Sequence, residues 1–169
     1  MVSRLPLLSL LAVFAAVTLV VTTGAFSSVT AARSVDVSVA GDDAALLQLV
    51  PHSGPNGDYA QLVDGQLRIT FDGVPADGVN QNATTTIPDV FNVTNQGTQA
   101  VTVNVTETGN HTDLVTFESA NGTQLDGGAT GVALPVGETL EVTIVIDTTG
   151  QNLATGSPLL DSITIRAKA

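Results

Sequence analysis

No cysteine occurs in this 169-residue chain, which removes disulfides, thiolate catalysis and every zinc or iron–sulfur site built on sulfur ligands. Basic residues are nearly as scarce. Five Lys+Arg stand against 16 Asp+Glu, a formal net charge of −11, so the clustered cations that phosphate contacts require are missing and nucleic acid is excluded as a partner. Tryptophan is absent, aromatics make up 4% of the chain, and histidine occurs only as His52 and His111. Both histidines stand in loop-like segments with no sequence partner and read as solvated loop residues. Neither an HExxH zinc pair nor a GxSxG nucleophile elbow is present. Gly127 and Gly128 lack the strand-to-helix setting of a phosphate loop and read as turn residues. The expectation is a chain with no catalytic residue, no cofactor and no metal centre. The acidic pair Asp42 and Asp43, with Asp36 or Asp72, is the one grouping that invites a hard cation such as Ca²⁺, and no EF-hand or repeat spacing supports it.

What the chain does contain is 43% hydrophobic residues beside only 12% charged ones. That balance excludes an acidic disordered tail, because enough apolar surface is available to offset the entropy of ordering. The polar remainder is mostly Thr, Ser, Asn, Gln and Gly, a composition of strands and turns. Residues 1–25 read as an export signal: Arg4 supplies the positive start, residues 5–21 the apolar run, and Thr22, Thr23, Gly24 and Ala25 the small-residue region before a cut between Ala25 and Phe26. The apolar run is at the lower edge of what spans a bilayer, so an uncleaved anchor is the alternative, and the only expected membrane contact. Removing 25 residues and the charge of Arg4 leaves 144 residues with net charge −12, one domain's worth. Asp outnumbers Glu 12 to 4 and Lys occurs once, as Lys168, which predicts a surface adapted to high salt, where carboxylate repulsion is screened.

From Val35 onward the apolar residues alternate with polar ones, the period of a half-buried strand. Nine segments carry the pattern. They are centred on Val35, Val37 and Val39; Leu47 and Leu49; Leu67, Ile69 and Phe71; Phe91 and Val93; Val101, Val103 and Val105; Val115 and Phe117; Val132, Leu134 and Val136; Leu140, Val142, Ile144 and Ile146; and Ile163, Ile165 and Ala167. Residues 51–65, 72–88, 119–131 and 148–158 are dense in Gly, Asn, Asp and Pro and read as long loops. Nine short strands apolar on one face predict an all-β fold, a two-sheet antiparallel sandwich over residues 35–169 of immunoglobulin-like or jelly-roll type. Parity sharpens one junction. A two-residue hairpin at Gln96 and Gly97 would set inward Val101 opposite outward Asn92, so either the loop there is odd or the chain crosses from one sheet to the other.

The densest short motif is the N-glycosylation sequon, with acceptors at Asn82, Asn92, Asn104, Asn110 and Asn121. Alternation sets Asn92 and Asn104 on outward faces and the other three in loops or at strand ends, so all five are expected to be accessible.

Residues 23–28, Thr-Gly-Ala-Phe-Ser-Ser, followed by Arg33-Ser34-Val35, Val37-Ser38-Val39-Ala40 and the stretch 42–49, resemble the post-signal junction of the TasA/camelysin family and its acidic haloarchaeal surface-protein relatives. The resemblance covers residues 1 to about 51; beyond it, Phe91-Asn92-Val93-Thr94-Asn95 and residues 134–146 share only the sandwich pattern. It implies a secreted β-sandwich that builds biofilm-matrix fibres or bundling pili, each subunit completing a sheet of the next with a donated N-terminal strand. Phe26, Val29 and Ala31, within a donor segment or flexible arm at residues 26–34, would be the inserting side chains. The camelysin name also implies a metallopeptidase, for which the chain has no zinc motif. Two readings without catalysis therefore compete: a self-assembling cell-surface or matrix subunit, and a monomeric glycosylated module at the envelope that meets other surface proteins. An extracellular hydrolase would need scattered Asp, Glu and His to converge in the fold.

Overall fold

The computed structural model describes residues 40–71, 78–128 and 130–169, all within one unit, Ser38–Ala169. The fold is all-β, with no α-helix among the described residues. Among the described residues nine strands follow in order: β1 (Leu47–Pro51), β2 (Ala60–Val63), β3 (Gln66–Ile69), β4 (Thr84–Asn95), β5 (Val101–Thr108), β6 (Val115–Ser119), β7 (Val132–Leu134), β8 (Thr139–Asp147) and β9 (Ser162–Lys168). Two short 3₁₀ turns, Pro55–Tyr59 and Thr112–Leu114, interrupt them. All ladders are antiparallel. One sheet has the order β1-β4-β8-β6, a second the order β7-β5-β9, and β2 and β3 make a separate hairpin.

The expected alternation decides which faces are buried. Leu140, Val142, Ile144 and Ile146 of β8, Phe117 of β6, and Val103 and Val105 of β5 are all buried and meet in one core with Ala60 of the hairpin. Phe91 and Phe117 are its largest members, each contributing about 1.5–3 kcal/mol by leaving water.

The junction after β4 resolves as a crossing: β4 lies in the four-stranded sheet and β5 in the three-stranded one. Asn95, at the inward parity of Phe91 and Val93 and only 2% exposed, anchors it. Its Nδ2 donates to Gln99 O (2.8 Å) and Leu134 O (3.0 Å), and its Oδ1 accepts the Gly97 N–H (3.0 Å).

Four expectations need correction or relocation. Residues 51–65 are not all loop: β2 ends at Val63 and turns through Asp64 and Gly65, both at positive φ (51° and 76°), into β3. Asp-Gly is the sequence of a two-residue hairpin whose twist matches the strands, and the short run before it hid the signal. Residues 72–88 likewise lose Thr84 to Ile87 to β4, where three β-branched threonines pair with β8. The ladder slips after Ile87, so that Pro88, Asp89 (φ 53°) and Val90 all oppose Thr143. Proline cannot donate to a ladder, and the displaced carbonyls find other donors: Asn56 Nδ2 to Pro88 O (2.7 Å) and His52 N–H to Val90 O (3.1 Å). Gly57 makes this clasp possible, since a Cβ there would stand 1.7 Å from His52 O. Finally, the seventh expected segment stops at Leu134, and Val136 is 51% exposed beyond Pro135. The expected strand at Val35, Val37 and Val39 lies outside the described residues.

Candidate functional site

A cleft of about 830 Å³ falls within the range of ligand-binding pockets. Its floor is the buried face of β6 and β8, formed by Val115, Phe117, Ile144 and Ile146. β3 lines it with Gln66, Leu67, Arg68 and Ile69, and residues 153–163, which lead into β9, line it with Leu159, Leu160 and Ile163. These apolar side chains are only half-buried: Leu67, Ile69 and Ile163 on the apolar faces of their strands, and Leu159 and Leu160 in the segment before β9. Asn80 and Thr148 also line it, and the buried Thr148 hydroxyl donates to Asn80 O (2.8 Å) and accepts the Ala83 N–H (3.1 Å).

β3 and the start of β9, where Ser162 and Ile163 line the cleft, have one described ladder partner each: β3 pairs with β2 and β9 pairs with β5, although the Leu67 N–H of β3 is already held by Asp42 Oδ2. A sheet edge of this kind presents N–H and C=O groups to an incoming chain, while the pleat sends alternate side chains toward the floor. The site is therefore suited to an extended apolar segment. Arg68 adds one basic group at the rim, and Asp64 and Asp161 add two acidic ones.

The residues expected to use such a site, Phe26, Val29 and Ala31, lie outside the described residues, as does the cut between Ala25 and Phe26. The same holds for Asp36 and Asp72 of the cation grouping. Asp42 anchors a turn: its Oδ2 accepts the Leu67 N–H at 2.7 Å and its own N–H donates to Gly65 O. Among the described residues no three His, Asp or Glu side chains come together as a metal cluster. His52 is also structural, accepting the Gly54 N–H on Nδ1 (2.9 Å) with Nε2 3.8 Å from Glu141 Oε1.

The five sequons divide by location. Asn82, Asn110 and Asn121 are exposed. Asn82 sits at φ 51° with its Oδ1 holding the Gly150 N–H (2.8 Å), and Asn121 Oδ1 accepts from the Thr123 hydroxyl (2.8 Å) within the 119–124 turn. Asn92 and Asn104 are half-buried in the interiors of β4 and β5, less open than outward parity alone suggests. Asn92 stands between Val50 and Glu141, and its Oδ1 is buried without a hydrogen-bond donor.

Several of the structurally decisive polar groups, Asn95, Thr148, Glu107 and Asp126, were not singled out by motif or alternation. Parity does set Asn95 and Glu107 inward, and a polar residue at an inward position is the available signal. No protein-family model matches this chain, and no curated protein is significantly similar to it.

Proposed function

We propose that this chain is a non-catalytic, exported structural subunit: a two-sheet antiparallel sandwich that polymerises head to tail at the cell surface or in a biofilm matrix. In this reading residues 26–34 of one copy enter the cleft of the next as an added strand, with Phe26, Val29 and Ala31 turned to the floor. The observation that carries the proposal is the cleft itself, apolar at its base and bordered by β3 and β9, each with a single described ladder partner. The resemblance of residues 23–49 to the TasA/camelysin junction supports the same reading. Strand addition supplies affinity through main-chain hydrogen bonds and register through alternate side chains.

Negative-stain electron microscopy of the chain beginning at Phe26, in high salt, is expected to show filaments, and the same chain without residues 26–34 is expected to show none. Uniform single particles from both would overturn the proposal in favour of a monomeric envelope module. Filaments from both would leave polymerisation standing but remove the donated segment from it.

Glycosylation follows from exposure in either case. In an exporting, glycosylating host, Asn82, Asn110 and Asn121 are expected to carry the glycan, with Asn92 and Asn104 unmodified because they stand half-buried inside strands. Mass spectrometry of the intact chain and of the five single Asn→Gln variants checks this. A mass loss on substituting Asn92 or Asn104 would contradict it.

A further inference from the structure

The two larger sheets are joined by a short seam. Residues 124–126 lie against both: Leu125 N–H donates to Phe117 O of β6 (2.8 Å), and Val105 N–H of β5 donates to Leu125 O (2.8 Å). Asp126 reinforces it, its Oδ2 accepting the Phe117 N–H at 2.6 Å. Asp126 is 2% exposed, and its other oxygen, Oδ1, is buried with no donor. Glu107 continues the inward parity of Val103 and Val105, and its Oε1 is also buried with no donor. The Val105 N–H bond to Leu125 O sets Asp126, the next residue, beside the strand whose inward face carries Glu107, and the two unmet acceptors are satisfied together if one hydrogen stands between the carboxyl groups.

We propose that Glu107 and Asp126 share a single proton and that this proton latches the seam between β5 and β6. The alternative occupant, a divalent cation, needs six or more oxygen ligands for Ca²⁺, whereas the unclaimed buried oxygens here are two. One proton satisfies both at once. Two ionised carboxylates side by side would repel, and no basic side chain among the described residues offsets them: on β9, Ile163 is the register partner of Glu107, and Arg166 and Lys168 alternate to the other face. Glu118 of β6 and Glu141 and Asp147 of β8 also alternate away from the core face. Among the described residues Asp126 is the one charge acting on Glu107, and desolvation, then the Asp126 hydrogen bond and charge, raises the Glu107 carboxyl from 4.5 to about 7.

The sign of the pH dependence is set by that direction. Between pH 4.5 and about 7 the unfolded chain has released this proton and the folded chain keeps it, so stability falls as pH rises through the window. Below it both states are protonated and the latch is complete; above it both are ionised and the latch is lost.

Carbon-13 carboxyl NMR of the intact chain reads the Glu107 titration directly, and a midpoint near neutrality is expected. From pH 5 to pH 8 the unfolding constant should rise by roughly tenfold or more, less than the full shift implies because Glu107 is only half-buried. Hydrogen exchange at the Phe117, Leu125 and Val105 amides should quicken over the same range. Glu107→Gln, whose amide can donate permanently to Asp126, should flatten the pH profile and slow that exchange at pH 8. A Glu107 midpoint in the ordinary carboxylate range would overturn the latch without requiring any variant to fold. So would a calcium-dependent rise in Tm at pH 8 that Glu107→Gln and Asp126→Asn both abolish, which would assign the pair to a cation.

Discussion

Asn95→Leu is expected to lower the stability of the folded chain by about 3 kcal/mol, read from urea or thermal unfolding. Leucine has as many side-chain heavy atoms as asparagine and is bulkier, so none of the loss comes from a cavity. The loss comes from three backbone groups that Asn95 serves in a setting only 2% exposed: the carbonyls of Gln99 and Leu134 and the N–H of Gly97. Gln99 is exposed and its carbonyl regains water, at a cost near the net value of one hydrogen bond, about 1 kcal/mol. The bond to Leu134 O is buried, and an unmet buried carbonyl costs about 1–3 kcal/mol. The backbone of Asn95 remains tied to Glu138 O and by Gly137 N–H, so β4 itself should persist while the 96–100 crossing loosens. A loss under 1 kcal/mol would show that the crossing is held by backbone geometry alone.

This residue also shows where sequence reading reaches its limit. Alternation located the longer strands because burying one face of a sheet imposes period two, and it held for β5, β6, β8 and β9. Parity narrowed the β4–β5 junction to an odd loop or a crossing, and the structure has the crossing. The part of β4 around Pro88 was illegible for a physical reason: the bulge sets both Val90 and Phe91, consecutive residues, into the core, which breaks the period on which the reading rests. The hairpin β2–β3 was marked by Asp64-Gly65, a signal of turn chemistry that an alternation count does not see. The cleft was beyond reach, because it depends on β3 and β9 coming to border one floor, and strand order is a long-range property. Glu107 was legible as an inward carboxyl; its partner Asp126 arrives from a loop segment, which no periodicity locates.

The cleft can be separated from the rest of the surface by one pair of charge insertions in the hairpin. Ile69 stands on β3, half-buried at the cleft rim, while Gln61 on β2 is exposed and outside the lining. A lysine at position 69 can run its aliphatic stem along the rim and carry its ammonium toward solvent, so the monomer should lose only about 1–2 kcal/mol and remain folded. An incoming apolar strand would have to strip water from that ammonium or leave its own side chain unseated. Burying an unpaired charge costs several kcal/mol, and each 1.4 kcal/mol is a tenfold loss in affinity. On the proposed strand addition, Ile69→Lys should therefore weaken subunit contact by more than about a hundredfold and abolish filaments at micromolar protein, whereas Gln61→Lys, its new ammonium opposite Arg68, should cost less than about 1 kcal/mol and leave the proposed assembly intact. Circular dichroism establishes that both variants are folded, and sedimentation with electron microscopy reads assembly. Equal polymerisation by the two would remove the cleft as the seat of the donated strand, and loss in Gln61→Lys alone would move the interface to the outer face of the hairpin.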